Sequence, residues 1–302
     1  MRMLVTGSRG QLGNELRRLV ETGRSEIGEV PSCYAGAEVD WIDIDELDIA
    51  DAAATDAWFS AHGPYDLVIN GAAFTNVDGC EADFGTAFSA NALGPLNLAR
   101  ACAASGATLV HVSTDYVFPG TEPGERVETD APAPISAYGR SKLAGEGLAL
   151  AANPRTHVVR TAWLYGYVGR NFVRTMLGLG SRYDEVTVVD DQLGNPTSAN
   201  DLAHEILKIA QSDDFGIWHG TCEGTCSWAD FTQAIMEEAG LACRVRRCTS
   251  ADWKSMHPES ADRPAFSSLR NAHLERTLGN EMRPWREALH TFIAELKARE
   301  EI

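Results

Sequence analysis

The chain has 302 residues, 44% apolar and 23% charged, and its 26 Lys and Arg against 43 Asp and Glu leave a net charge of −17. At about 150 residues per domain this is one large domain or two smaller ones, with a globular rather than a disordered composition. So acidic a surface repels nucleic acid over most of its extent, while a small anion can still enter a locally positive pocket. No apolar run approaches the ~18–20 residues of a membrane helix. The opening MRMLVTG runs straight into a strand-like pattern without a signal-peptide core, so a cytoplasmic protein is expected. Seven scattered cysteines suit reduced thiols better than a disulfide framework. The pairs Cys222/Cys226 and Cys243/Cys248 have no histidine arranged to complete a zinc site, and no metal is assigned to them.

In chain order, Met3–Gly7 is a short apolar run ending in glycine, followed by Gln11–Val20 at helical spacing. An inserted loop is expected around 25–36, before a second strand that leads into DWIDIDELDIAD. Asp66–Asn70 and Thr108–Ser113 read as buried strands, separated by a helical stretch over Ala87–Ala104, with a further strand at Val158–Arg160. This alternation predicts an α/β fold, a Rossmann-type doubly wound parallel sheet over residues 1–160. Ligands of such sheets bind beyond the carboxyl ends of the strands.

Downstream the rhythm weakens. Asn171–Leu179 reads as helix, Val186–Gln192 as strand, and Asn200–Gln211, Trp228–Glu238 and Glu281–Ala298 as helices. They predict a smaller α/β substrate-binding lobe over 161–302, with segments crossing back to the first domain. Glu122–Pro134, rich in Pro, Glu and Asp, reads as a surface loop near the site.

Gly7-Ser8-Arg9-Gly10-Gln11-Leu12-Gly13 joins the first strand to the first helix. Glycines there let the backbone approach a pyrophosphate, which sits on the positive helix N-terminus. A glycine-rich turn without a ligand is the bland alternative, and the placement between strand and helix weighs against it. Asp43 and Asp48 follow the expected second strand, where a carboxylate accepts hydrogen bonds from an adenosine ribose. Ile44, not a cation, follows Asp43, which leans towards NAD(H); Arg9 is the one nearby charge for the 2′-phosphate of NADP(H), so both cofactors stay open.

Tyr138 and Lys142 are one helical turn apart, after Pro132, Pro134 and an N-cap candidate, Ser136. An ammonium beside a phenol favours the phenolate, which makes the tyrosine a proton donor suited to a carbonyl under reduction. A Tyr/Lys pair on a solvated helix face is common in isolation. Thr114, at the end of an apolar strand, weighs against that, because its hydroxyl can bond the same substrate oxygen.

The glycine loop, Asn70-Gly71-Ala72-Ala73, Ser113-Thr114-Asp115 and Tyr138-x-x-x-Lys142 together resemble the extended short-chain dehydrogenases/reductases. AAFTNVDGCEAD, STDYVFPG, RTAWLYG, VVDDQLGNPTSANDLA and ADRPAFSSL are similar to the dTDP-4-dehydrorhamnose reductase family, and the likeness runs from Leu4 to about Glu295. The resemblance implies that Gly7, Gly10, Gln11 and Leu12 hold the pyrophosphate, that Asp43, Asp48 and Ile49 surround the adenosine, and that Ala73, Phe74 and Thr75 line the cofactor groove. It implies catalysis by Tyr138, Lys142 and Thr114, with Tyr138 protonating O4 of a 4-keto sugar and Lys142 also binding the nicotinamide ribose. Thr114, Asp115 and Trp163 would touch the sugar of a dTDP-linked substrate; a tryptophan of the core is the alternative for Trp163.

Dehydratases of this fold carry Asp-Glu where this chain has Asp115-Tyr116, so elimination lacks its base, while simple reduction does not need one. Part of the family binds Mg²⁺ at a dimer contact. Glu15 and Glu295 stand in matching places, but Asn200 replaces a carboxylate, so the metal and the dimer it would bridge are doubtful. The expected protein is a monomer or homodimer without nucleic-acid or membrane partners. Another nucleotide-sugar 4-ketoreductase, or a non-catalytic subunit on the same fold, are the alternatives.

Overall fold

Short runs such as Leu67–Asn70, buried along their whole length, require cover on both sheet faces, which a parallel sheet with crossover helices provides. In the computed structural model, which describes residues 1–302, the first half runs β1 (Arg2–Thr6), α1 (Gln11–Thr22), β2 (Glu38–Ile42), α2 (Ala52–His62), β3 (Leu67–Asn70), α3 (Val77–Ala82) and α4 (Phe84–Phe88). It continues with α5 (Gly94–Ser105), β4 (Thr108–Thr114), α6 (Ala137–Ala152) and β5 (Thr156–Thr161). Then follow β6 (Leu164–Tyr165), α7 (Phe172–Gly180), β7 (Glu185–Val189), β8 (Leu193–Gly194), β9 (Thr197–Ser198), α8 (Ala199–Ile209) and β10 (Gly216–His219). The chain closes with β11 (Cys226–Ser227), α9 (Trp228–Ala239), β12 (Arg244–Cys248), α10 (Ser250–Met256), α11 (Ala272–Arg276) and α12 (Trp285–Ala298).

Six strands form one sheet in the order β10-β5-β4-β3-β1-β2, every pair parallel. The order reverses between β1 and β3, and that is where a ligand crevice opens in such a sheet. One face is sealed by Leu12 and Leu16 of α1 with Leu202 and Ile206 of α8; the other by Leu98 and Cys102 of α5 with Ala149 of α6. A third core, built round Tyr165, Phe231, Ile235 and Phe292, belongs to the downstream lobe. The second half therefore supplies both a strand, β10, and a helix, α8, to the main sheet.

Several elements differ from the sequence reading. The helix expected over Ala87–Ala104 is interrupted by a π-turn at Ser89–Leu93. There Asn91 turns inward: its Oδ1 accepts from the Phe74 amide at 2.8 Å and its Nδ2 donates to the Phe74 carbonyl at 3.0 Å. The last helix starts at Trp285 rather than Glu281, directly after Pro284. Glu122–Pro134 is mostly exposed, as expected; its middle bridges through Arg126 to Leu269 and its last residue, Pro134, packs by Gly139 next to Tyr138, without lining the cleft itself. The insertion at 25–36 is ordered by Tyr34, whose buried hydroxyl donates to the Leu207 carbonyl at 2.8 Å.

Helix α6 approaches the π-turn so closely that a methyl group on Gly145 would collide with the Asn91 carbonyl. Gly145→Ala is expected to cost about 1–3 kcal/mol of stability, the usual penalty of overpacking, read as a lower urea midpoint at unchanged slope.

Candidate active site

At the switch point lies a cleft of about 1330 Å³. Its walls contain Gly7, Gly10, Gln11 and Leu12; Asp43, Asp48 and Ile49; Ala73, Phe74 and Thr75; and Thr114, Asp115, Tyr138, Lys142 and Trp163. The fold thus gathers into one cavity the residues expected to bind cofactor and sugar and to carry catalysis, while Glu15, Asn200 and Glu295 lie outside it.

At the glycine loop, Gly7 has φ +66°, and a Cβ there would lie 2.7 Å from the backbone of Gly71 and Ala72. Its left-handed conformation lets β1 turn against the end of β3. Gly10 is the N-cap of α1 and offers no side-chain acceptor, so the first helical N–H groups stay free for an anion. This cradle fits a dinucleotide pyrophosphate. Beside it, Asp43 accepts from the Arg9 amide at 3.0 Å and from the Ile44 amide at 2.9 Å. The Arg9 guanidinium is held by Asp45 at 2.7 Å, with Glu46 at 3.6 Å and Asp43 at 3.8 Å. The cation nearest Asp43 is therefore already engaged by carboxylates, while Arg170 also stands on the cleft wall.

At the other end, Ser136 caps α6, its hydroxyl accepting from the Gly139 amide at 3.1 Å. Tyr138 and Lys142 follow on one face. Lys142 is almost wholly buried, and its Nζ donates to the Val112 carbonyl at 2.7 Å. Burial lowers its pKa to about 8, against the opposing pull of Glu146 one turn further on. Glu146 is itself buried; it accepts from Arg160 at 2.9 and 2.7 Å and from the Ser113 hydroxyl at 2.6 Å. The sequence reading missed this carboxylate and its arginine, although the spacing Tyr138, Lys142, Glu146 places all three on one helix stripe.

One expectation is corrected. The Tyr138 phenol is held above its ordinary value, not below it, because burial outweighs the hydrogen bond to Thr114. Lys142 spends a proton on the Val112 carbonyl. Thr114 donates its hydroxyl to Asp115 Oδ1 at 2.8 Å, while Asp115 Oδ2 is buried without a partner. Burial raises the Asp115 carboxyl to about 7, with Ser267 and Thr114 pulling it back. Tyr116 packs edge-on to Tyr138, ring centroids 6.0 Å apart.

Glu15 and Glu295 do not fit a divalent metal. Glu15 Oε2 accepts from Asn200 Nδ2 at 2.7 Å and pairs with Arg18 at 3.0 Å, and Glu295 pairs with Arg299 at 2.8 Å. One oxygen of each is taken, Glu15 Oε2 and Glu295 Oε1, and neither residue belongs to a group of three or more His, Cys, Asp or Glu side chains that could hold a metal within the chain. All seven cysteines are free thiols, and the Cys222 thiol, in the lobe core, points to Asp201 at 3.7 Å.

The family profile described as the RmlD substrate binding domain matches residues 1–298. The chain is 41% identical to the dTDP-4-dehydrorhamnose reductase of Mycobacterium tuberculosis over 301 residues, covering 97% of this chain and 92% of that one. A solved dTDP-4-dehydrorhamnose reductase of Clostridium acetobutylicum superposes with a TM-score of 0.91 at 42% identity, over 98% of this chain and 100% of that one. The Bacillus anthracis enzyme of the same name, solved in complex with NADP, gives a TM-score of 0.87 at 34% identity, over 97% and 99%.

Because Asp115 keeps its proton to about pH 7 when folded and only to about pH 4 when unfolded, folded protein binds the extra proton in that window and stability falls as pH rises through it. Asp115→Asn removes the titration and keeps the Oδ1 acceptor. Its melting temperature is expected to match the parent near pH 4, to exceed it increasingly towards pH 7, and to hold that lead above.

Proposed function

The chain belongs to the RmlD substrate binding domain family, and from that premise we propose that it reduces the 4-keto group of dTDP-4-dehydro-β-L-rhamnose with NAD(P)H, giving dTDP-L-rhamnose. The observation that carries this reading is the meeting of Tyr138, Thr114 and Lys142 at one end of a cleft whose other end is a glycine cradle for a pyrophosphate. Gly7, Gly10, Gln11 and Leu12 hold the pyrophosphate, Asp43, Asp48 and Ile49 the adenosine, and Ala73, Phe74 and Thr75 the groove between.

A reduced nicotinamide held in this cleft would supply the hydride that C4 of the sugar accepts. Tyr138 gives its phenolic proton to O4 as the oxygen gains charge, which is general acid catalysis. An ammonium at Lys142, kept charged by Glu146 behind it, stabilises the phenolate left on Tyr138 and binds the nicotinamide ribose. Thr114, its own proton committed to Asp115, orients the phenol. Asp115 and Trp163 bound the sugar. With an aromatic ring at Tyr116 where elimination would need a carboxylate, the site is built for reduction alone. The same reading makes 1–160 the main cofactor unit and 161–302 the main sugar unit, in a cytoplasmic enzyme acting as monomer or homodimer.

The test is loss of reduced-nicotinamide absorbance with enzymatically prepared dTDP-4-keto-6-deoxy sugar, each cofactor in turn. Binding of NAD(P)H with no turnover of any such sugar nucleotide would overturn the reading and favour a non-catalytic subunit. Tyr138→Phe is expected to lose about 10²–10⁴ in turnover with its fold intact, the usual worth of a general acid; near-normal turnover removes the phenol from the mechanism. Asp45→Asn, which frees Arg9 from its closest carboxylate, is expected to shift the NADPH-to-NADH ratio of kcat/KM about tenfold towards NADPH, the scale of one charged contact.

A further inference from the structure

Among the residues with positive φ, only two are not glycine, and one of them, Trp163 at φ 47°, lines the cleft. A bulky residue stays in that region only where its surroundings hold it there. On both sides its backbone is fixed: Thr161 ends β5, Leu164 pairs with Thr197 through β6 and β9, and the Trp163 carbonyl accepts from the Thr197 amide at 3.3 Å.

The side chain is held from the lobe. The indole of Trp228 lies parallel to that of Trp163, centroids 3.5 Å apart and planes 5° from parallel. Against three consecutive ring atoms of Trp163, a Cβ on Gly194 would stand at 2.5–2.7 Å. These two neighbours are brought into register by one ribbon, since β8 pairs with β11 so that Gly194 faces Cys226, and Trp228 follows Ser227 directly. Ser227 is locked in turn by a capping box with Asp230 and by donating its hydroxyl to Asp190 at 2.7 Å. Phe172 backs Trp228 at 4.4 Å. Trp228 itself is not part of the cleft wall.

We propose that Trp228 and Gly194 are positioning residues for the sugar of the substrate: they fix the plane and the depth of the Trp163 indole, so that the wall meeting the hexose ring is set before the ligand arrives. This rests on the functional reading above and adds to it the residues that hold the wall. A preset aromatic wall binds ground state and transition state alike, so its loss raises KM and spares kcat.

The experiment compares Trp228→Ala, Trp228→Phe and Gly194→Ala with the parent, using dTDP-4-keto-6-deoxy sugar kinetics, NAD(P)H affinity and far-ultraviolet circular dichroism, where two stacked indoles give an exciton couplet. The parent shows the couplet. Trp228→Ala and Gly194→Ala each raise KM about tenfold, the size of one displaced aromatic contact, with kcat and NAD(P)H affinity little changed. Trp228→Phe loses the couplet and keeps a near-parental KM, because a phenyl ring still supports the indole. A parent without the couplet, or a Trp228→Ala enzyme that lost the couplet but kept its KM, overturns the proposal. So does a Trp228→Ala chain that fails to fold while Gly194→Ala leaves KM unmoved, since Trp228 is then a core residue only. A parent that shows the couplet but reduces no 4-keto sugar nucleotide brings down the functional reading instead, and with it the role given to the wall.

Discussion

A buried ammonium is the constraint round which this site is built. Lys142 sits at the carboxyl end of the sheet with one proton on a strand carbonyl and almost no contact with water. An isolated charge in that position would lose its proton. What opposes that loss is the charge of Glu146 one helical turn on, itself paired with Arg160 and tied to β4 by the Ser113 hydroxyl. The three charges link α6, β4 and β5, so the electrostatics of the catalytic end and the packing of the sheet are one arrangement. The bare glycines of α6, where it presses on Tyr116 and Asn91, allow that closeness.

The distribution of charge over the cleft follows a different logic at each end. The chain is strongly acidic overall, yet the pyrophosphate cradle is made of backbone N–H groups rather than lysines, and its helix terminus supplies the positive potential. Beside the glycine loop, three carboxylates surround the half-exposed Arg9. At the sugar end, Asp115 is kept in poor solvation beside Thr114 and the phenol.

Much of this was legible in the sequence because it is local. The glycine loop, the capped turn before Tyr138 and the strand ending in Thr114 each declare themselves within a few residues, and the sheet rule then places them on one edge. What was not legible depends on distant partners. Nothing near Asn91 announces a π-turn, since its cause is the backbone of Phe74. The depressed phenol pKa expected from the Tyr138/Lys142 spacing did not survive, because burial, which spacing does not reveal, outweighs it. Gly216–His219 is too short to signal a strand, and Arg244–Cys248 carries three arginines because it pairs on one side only, with β7, at an exposed edge. The stacking of Trp163 on Trp228 joins residues 65 positions apart in the chain.

The sixth strand has a wider consequence. Because β10 comes from the second half and pairs along β5, a fragment ending near residue 160 would leave Val158 and Val159 on an unprotected edge, with the hydrophobic face of α1 stripped of α8. Such an edge is a template for association with other chains. The first half is therefore not a detachable module: its sheet and the cover of α1 are completed only by β10 and α8 of the second half, which ties the integrity of one half to the synthesis of the other.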